Sequence, residues 1–474
     1  MNNNKKIHFI GICGVAMSAL AIAFHKKGWR VTGSDAGFFP PISTHLKKNK
    51  INFYPGWHPD RVLRSFSEGG ENDQKDCLVV VGNVASSTNP EWLYVQKNNI
   101  EYKSYPEAIA KYFVKKNSIV CAGTYGKTSS ATLLSYIFIQ SGLDPSYMFG
   151  GLAQNKIDSA HIGESNWSIL EGDEYKSSRW DNGAKFKHYS PTHLLLSAVK
   201  WDHADVYPTE SSYFDAFAEL VKSIPKDGLV VACADNKKVE EIVKLVNCKI
   251  VKYGNTNNAD YIYSDVAQTK QGLSFDIKNG KNNYKIETDI LGDYQAENIT
   301  GCFAMARECG IEPEKIIESI KSFKGIKRRL EKRLASDITV FDDIAHSPAK
   351  AKSVLETLKS IYTGKIIAIF EPNTGNRKPA SLPGYDNCFS SADTVIIPKL
   401  TKVKTDTNDT AKPIDGEKLT EVIAKTHPDV KYIDDDAELL KYIIDNKKKN
   451  DCIVFLGSHG FRNMIEQLVI SLRQ

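Results

Sequence analysis

Apolar residues along the chain fall in short runs, and most runs lead into a stretch with helical spacing. Residues 6–11 (KIHFIG) read as a buried parallel strand, residues 11–14 as a glycine-bearing turn, and an amphipathic helix continues to about residue 27. A second strand at 29–35 (WRVTGSD) completes a βαβ start. A further strand is predicted at 77–81, followed by a helix within 84–97. Polar residues 115–117 precede a strand at 118–122, where a second block opens as strand, glycine loop and a helix-forming run at 131–139. This block continues through apolar strands at 168–170, 192–196 and 228–232. Residues 264–290 alternate, with turn signals at Gln271-Gly272 and Asn279-Gly280, which predicts an antiparallel excursion. Residues 296–309 are helical, and Gly310 stops the helix. A third block, from about Arg328, places strands at 338–341, 365–370, 394–397 and 452–456 between helices. The repeated alternation predicts an α/β fold with three domains in series, at 1–115, 116–326 and 327–474. The polar stretch 401–412 is expected to be a surface loop.

Composition narrows the function classes. Lys plus Arg is 62 and Asp plus Glu is 57, so the formal charge is only +5 over 474 residues. The basic runs are short (Lys115-Lys116, Lys327-Arg328-Arg329, Lys447-Lys448-Lys449). They read as solvated surface rather than a nucleic-acid face, while a mild positive excess suits small polyanionic ligands. The nine cysteines are scattered with no C-x-x-C pair, which argues against a disulfide framework or zinc site and for a reducing compartment. No apolar run reaches membrane-spanning length and no signal-peptide pattern follows Met1, so a cytoplasmic protein is expected, with no membrane or nucleic-acid partner.

The strongest chemical signal is Ala122-Gly123-Thr124-Tyr125-Gly126-Lys127-Thr128-Ser129, between an apolar strand and a helix. Glycines let the backbone wrap a phosphate, Lys127 would neutralise it, and the Thr128 hydroxyl would hold Mg²⁺. The loop is two residues shorter than the common phosphate-binding pattern, so a chance glycine turn stays open on this segment alone. Glu171-Gly172-Asp173-Glu174-Tyr175 follows an apolar run and is either a Mg²⁺ site on ATP or a solvated acidic cluster. Trp201-Asp202-His203-Ala204-Asp205 offers His203 as a metal or phosphate ligand, or as an ordinary structural histidine. The N-terminal Gly11-x-x-Gly14 with Asp35 weakly mimics a dinucleotide fingerprint, which leaves a nicotinamide oxidoreductase open there. That reading leaves the Lys127 loop unused.

Taken in order, GICGVAM (11–17), GSD (33–35), AGTYGKT (122–128), EGDEY (171–175), WDHAD (201–205), FKGIKRRLE (323–331) and FDDIAHSP (341–348) resemble the Mur ligases along nearly the whole chain. The resemblance implies an N-terminal Rossmann-like domain for the UDP moiety, a central P-loop ATPase-like domain, and a C-terminal Rossmann-like domain that brings the amine and closes over the site. It implies an ATP-dependent ligase in which a sugar carboxylate takes the γ-phosphoryl group of ATP and the acyl phosphate is then captured by an amine. Gly11, Cys13, Gly14, Met17, Ser34 and Asp35 match UDP-sugar positions. Gly123, Thr124, Gly126, Lys127, Thr128, Ser129, Asn298, Arg329 and Asp343 match ATP positions. Thr128, Glu174 and His203 match metal positions. Lys127, Glu174, His203 and His346 match the catalytic set, with His346 near the incoming amine. Mg²⁺ and ATP are the implied cofactor and co-substrate.

Two activities of the family compete. One joins L-alanine to UDP-N-acetylmuramate, and the other joins the recovered tripeptide L-Ala-γ-D-Glu-meso-diaminopimelate to the same acceptor. Asp35-Ala36-Gly37-Phe38-Phe39-Pro40-Pro41-Ile42-Ser43, Gly82-Asn83-Val84, residues 185–189 (KFKHY) and Glu371-Pro372 look like the peptide-adding type. Thr374 replaces an arginine of the alanine-adding type, while Arg377 remains. Arg377, Lys378, His459 and Arg462 could pair with substrate carboxylates or be plain surface charges. Tyr125, Ala198, Lys200, Tyr294-Gln295 and Ser347 depart from the family pattern, so a non-catalytic nucleotide-binding relative is the rival of another class.

Overall fold

The computed structural model describes residues 5–38, 42–62, 77–83, 85–203, 206–401 and 413–473. Phe39, Pro40, Pro41, Val84, Ala204 and Asp205 of the quoted motifs, and residues 402–412 of the expected surface loop, lie outside them.

Three α/β sheets follow one another along the chain. The first holds β1 (Lys6–Ile10), β2 (Arg30–Asp35), β3 (Asn52–Pro55), β4 (Cys77–Val81) and β5 (Tyr102–Ser104) in the order β3-β2-β1-β4-β5. All its pairings are parallel. β1 and β4 are buried at every position, as their unbroken apolar runs require of strands covered on both faces. Ile10 pairs with both Ser34 and Val81, so the loops that begin at Gly11, Asp35 and Gly82 leave from one rung.

The central sheet has ten strands: β6 (Asn117–Ala122), β7 (Ser146–Met148), β8 (Ala160–His161), β9 (Trp167–Gly172), β10 (His193–Leu196), β11 (Leu229–Cys233), β12 (Lys249–Gly254), β13 (Tyr261–Gln268), β14 (Leu273–Asn279) and β15 (Asn282–Thr288). Their order is β15-β14-β13-β12-β11-β10-β6-β9-β7-β8. Ala122 pairs with both Leu196 and Gly172, so the glycine loop, the acidic segment and the segment leading to His203 start side by side.

The third sheet, β16 (Glu331–Ala335), β17 (Thr339–Asp343), β18 (Ile366–Glu371), β19 (Thr394–Pro398), β20 (Val430–Ile433) and β21 (Cys452–Gly457), runs β16-β17-β21-β18-β19-β20. Only β16 is antiparallel among the recorded pairings. The last strand inserts between β17 and β18, so the loop after Gly457 emerges at the middle of the sheet, where strand order reverses. Alternate residues supply two cores: Phe341, Ala368 and Val454 on one face, Val340, Ile367 and Ile453 on the other.

The chain forms two compact units. One comprises Met1–Asp265, Phe275–Glu287 and Ala296–Phe323, and the other Val266–Ser274, Thr288–Gln295 and Lys324–Gln474. No helix is long and apolar enough to cross a membrane.

Two helices begin elsewhere than the apolar spacing predicts. The helix within 84–97 starts at Pro90, because Asn89 caps it by accepting from the amides of Glu91 and Trp92, both at 3.0 Å. The helix after the glycine loop begins at Lys127, four residues before the apolar run, because the loop itself delivers the first turn. Strands β3, β5, β7, β8, β12, β16 and β20 escape the hydrophobic pattern: most are short, β16 is a polar edge strand, and β20 is a four-residue edge strand with no position fully buried.

Candidate functional site

Gly123 (φ +132°) and Gly126 (φ +78°) hold backbone that a side chain would strain. A Cβ on Gly123 would meet Ser197 Oγ at 2.2 Å, and one on Gly126 would meet Asn298 Oδ1 at 2.3 Å. Asn298 therefore packs directly on the loop. The buried Thr124 hydroxyl donates to the Lys200 carbonyl (2.8 Å), accepts from the Lys200 amide (2.8 Å) and pairs with Tyr213 OH (2.9 Å). Its side chain is spent on holding the loop to the segment after β10. Ser197 Oγ adds a bond to the Tyr125 carbonyl at 2.6 Å.

Gly126 ends the loop, and Lys127, Thr128 and Ser129 open the helix Lys127–Gln140, whose first amides face outward where an anion would be held. Lys127 Nζ donates to the Gly123 carbonyl (2.7 Å) and to Glu174 Oε1 (3.0 Å), and lies 2.9 Å from Glu174 Oε2. Glu174 is fully buried, and its Oε2 accepts no well-aligned hydrogen bond. His203 Nε2 approaches Glu174 Oε1 at 3.4 Å, and its ring packs edge-on to Tyr175. Hydrogen bonding to Glu174 lifts the His203 imidazole above its ordinary range, against the opposing effect of burial. Tyr207 OH donates to the Glu174 carbonyl at 2.6 Å, and Tyr213 OH to its Oε1 at 3.3 Å. Burial and the Glu174 charge push the Tyr207 phenol up to about 12, so it stays a donor at neutral pH.

The family resemblance assigns no role to three members of this cluster, Glu171, Lys185 and Tyr213. Glu171, not Glu174, accepts the Thr128 hydroxyl (2.8 Å), and its other oxygen accepts the Gly150 amide (2.6 Å). Lys185 donates to Asp173 at 2.5 Å. Burial raises the Asp173 carboxyl, but Lys185 and the Tyr175 amide together hold it below the ordinary value. Tyr213 enters from the helix Glu210–Lys222. In the sequence only the acidic run and the KFKHY stretch hint at them. The Thr128 hydroxyl and the Glu171 carboxylate form a hard-oxygen pair of the kind that suits Mg²⁺, while Glu174 is taken up by Lys127 with His203 beside it.

The N-terminal loop is built differently. Asp35 accepts the amides of Cys13 (2.8 Å) and Ala36 (2.7 Å), and the Gly11 and Ile12 amides donate to the Ser34 carbonyl at 2.9 and 3.0 Å. Burial and the Asp35 charge push the Cys13 thiol up to about 12. Ser34 is fully buried and donates to Glu91, and Met17 lies buried against the turn that Gly14 opens. No lysine or arginine among the described residues makes a recorded contact with Gly11, Cys13, Gly14 or Asp35.

In the third domain Asp343, at the end of β17, accepts the amides of Leu330 (2.6 Å) and Ala345 (2.8 Å). It thereby holds a loop in which Arg328 and Leu330 both have positive φ, and Arg329 lies between them. Burial pushes the Asp343 carboxyl up to about 6 despite those two amides. Arg328 caps the end of β21, donating to the carbonyls of Gly457, Ser458 and His459. His346 Nδ1 donates to the Ile344 carbonyl at 2.7 Å, which leaves Nε2 with its lone pair. Burial lowers the His346 imidazole below its usual range, which favours that neutral form.

The family descriptions "Mur ligase family, catalytic domain", "Mur ligase middle domain" and "Mur ligase, glutamate ligase domain" match residues 6–116, 121–306 and 328–459. A UDP-N-acetylmuramate–L-alanine ligase of Clostridium tetani is 30% identical over 398 residues, 83% of each chain. The chain belongs to the Mur ligase family. Its members are ATP-dependent amide ligases, and this chain is one. A UDP-N-acetylmuramate–L-alanyl-γ-D-glutamyl-meso-2,6-diaminoheptandioate ligase of Haemophilus influenzae is 29% identical over 381 residues, 79% of this chain and 81% of that one. A solved UDP-N-acetylmuramate–alanine ligase of Thermotoga maritima shares the fold, with a TM-score of 0.77, 21% identity, and coverage of 99% of each chain. Relatives of this Mur ligase thus include both amine types.

Proposed function

We propose that this Mur ligase joins L-Ala-γ-D-Glu-meso-diaminopimelate to UDP-N-acetylmuramate in the recovery of cell-wall peptide. The observation that carries the chemistry is the Lys127 ammonium, bonded to the Gly123 carbonyl of a strained glycine loop and ion-paired with the buried Glu174. The peptide preference is supported by the Asp35–Ser43 and Glu371-Pro372 motifs and by Thr374 at an arginine position of the alanine type.

In this reading residues 1–115 hold the UDP-sugar on the Gly11–Met17 turn, 116–326 bind ATP, and 327–474 bring the amine. A lactyl carboxylate oxygen attacks the γ-phosphorus, and the bond from that phosphorus to the β–γ bridging oxygen breaks, releasing ADP. Two anions meet in this step, and Lys127 offsets their repulsion. Thr128, Glu171 and Glu174, with His203 alongside, would hold Mg²⁺, which supplies further charge neutralisation at the phosphates. The amine nitrogen then attacks the acyl carbon, the carbon–oxygen bond to phosphate breaks, and His346 Nε2 accepts the amine proton. Asn298 steadies the loop beneath the nucleotide, and Arg329 and Asp343 contribute from the third domain.

ADP and phosphate release with Mg²⁺-ATP and UDP-N-acetylmuramate tests the reading, with the tripeptide, L-alanine or no amine added. Release with the tripeptide is expected. Release with L-alanine alone would make it the biosynthetic ligase, and silence with every amine would make it a nucleotide-binding relative.

A further inference from the structure

Ser34 matches a UDP-sugar position, yet its hydroxyl is buried and spent on Glu91. Glu91 is itself 0% exposed and has no part in the transfer chemistry. Burying a carboxylate is costly, and only hydrogen bonds from its surroundings offset that cost.

Glu91 lies in the first turn of the helix Pro90–Lys97, where Asn89 holds its amide at 3.0 Å. Its carboxylate gathers donors from two other elements and a loop of the first domain. Oε2 accepts the Ser34 hydroxyl near the end of β2. Oε1 accepts the Tyr54 hydroxyl of β3 at 3.1 Å and the His58 amide, in the loop after β3, at 2.7 Å. His8 of β1 places Nε2 3.8 Å from Oε2, with its Nδ1 engaged by Thr32 Oγ1 at 2.8 Å. Burial raises the Glu91 carboxyl, but His8, Ser34 and the His58 amide together hold it below the ordinary value. It is therefore an ionised acceptor at neutral pH, able to take donors on both oxygens at once.

The glycine turn hangs on this arrangement. The Ser34 carbonyl accepts the Gly11 and Ile12 amides, and the neighbouring Asp35 carboxylate accepts the Cys13 amide. The Gly56 amide donates to the Asp35 carbonyl at 2.9 Å, which joins the loop after β3 to the same segment. β1, β2 and β3 are adjacent in the sheet, and ligands of open α/β sheets bind beyond such carboxyl ends. Glu91 thus ties the loop after β2 to the loop after β3, with the glycine turn bonded to the first of them. We propose that Glu91 is a positioning residue of the UDP-sugar site, setting the glycine turn in place through Ser34 without touching the nucleotide. Ser34 then serves by its carbonyl and its buried hydroxyl, not as a ligand. This inference rests on the reading of residues 1–115 as the UDP-sugar domain.

The test is made on the full chain with wild type, Glu91→Gln, Ser34→Ala and the double variant. UDP affinity is measured by calorimetry, beside KM for UDP-N-acetylmuramate, KM for ATP and the melting temperature. Glutamine keeps the size of glutamate but has one acceptor oxygen, so it cannot accept from both Ser34 and His58 on separate oxygens. Glu91→Gln should weaken UDP binding and raise KM for UDP-N-acetylmuramate about tenfold or more, the loss expected of a charged hydrogen bond, with KM for ATP unmoved. Ser34→Ala should act in the same direction, and the double variant should lose little beyond Glu91→Gln, because both changes cut one link. Unchanged UDP affinity in Glu91→Gln, or a parallel rise in both KM values, would overturn the inference and leave Glu91 a residue of the fold alone. Additive losses in the double variant would overturn it too, by separating Glu91 from Ser34. Where Glu91→Gln fails to fold, Ser34→Ala decides: unchanged UDP affinity there rejects the link. The UDP measurement needs no amine, so it holds whichever amine the ligase takes. Absence of UDP binding by wild type would overturn the UDP-sugar reading itself.

Discussion

Two glycine turns in this chain share one plan, strand, tight turn, helix, and differ in what surrounds them. At the first, Gly11 has φ +88°, but Gly14 has φ −63° and a Cβ there would come no closer than 3.6 Å to Met17. At the second, Gly123 and Gly126 sit at positive φ with no room for a Cβ, and Lys127 lies under the loop. The first is pinned by a carboxylate, Asp35, through the Cys13 amide. The second is pinned by a hydroxyl, Thr124, and a cation. Backbone strain is common to both turns, so the difference teaches that a candidate phosphate loop is marked by its cation and its close packing, more than by its glycine count. A loop pinned by an anion is poorly placed to receive the terminal phosphates of ATP.

Breaking this comparison starts at Lys127. Lys127→Ala should lower ADP formation about a hundredfold or more, since a preorganised charge facing the transferring phosphoryl group is lost. Turnover near the wild-type level would remove the mechanism. Gly123→Ala should come next, costing on the order of 2 kcal/mol or more of stability because its Cβ meets Ser197 and its φ is unfavourable. Thermal unfolding of Gly123→Ala beside Gly14→Ala sharpens the contrast. The latter should cost well under about 1 kcal/mol, the ordinary loss of alanine against glycine at an N-cap.

A third turn, the one held by Asp343, extends the comparison through pH. Burial lifts its folded carboxyl to about 6, above the 3.8 of a free aspartate. Between these values the folded state holds a proton that the unfolded chain has released. Stability from this group is therefore present at low pH and lost as pH rises through about 6, by up to about 3 kcal/mol. Asp343→Asn should flatten that part of the denaturation profile, and an unchanged slope would reject the assignment. A small effect belongs to Asp35→Asn, which should cost about 1 kcal/mol by weakening the Cys13 bond and should leave ATP affinity unaltered.

Much of the fold was legible because buried parallel strands are continuous apolar runs. The runs at 77–81 and 452–456 could be placed from composition alone, and both are strands with every position buried. The polar strand β16 and the four-residue β20 carry no such mark, because their pairing depends on neighbours far along the chain. The site divides in the same way. The chain by itself marked Gly123, Lys127 and Thr128 as a candidate phosphate-type loop and showed that an acidic segment and a histidine segment follow apolar runs. Only the tertiary structure decided that Ala122, Gly172 and Leu196 share a rung, so that Glu171 takes the Thr128 hydroxyl while Glu174 faces Lys127. It also decided that Ser34, an apparent ligand position, is consumed by Glu91. The reason is physical. Hydrophobic periodicity is a local property of the chain, whereas the pairing of a buried polar atom depends on residues that only folding brings near it.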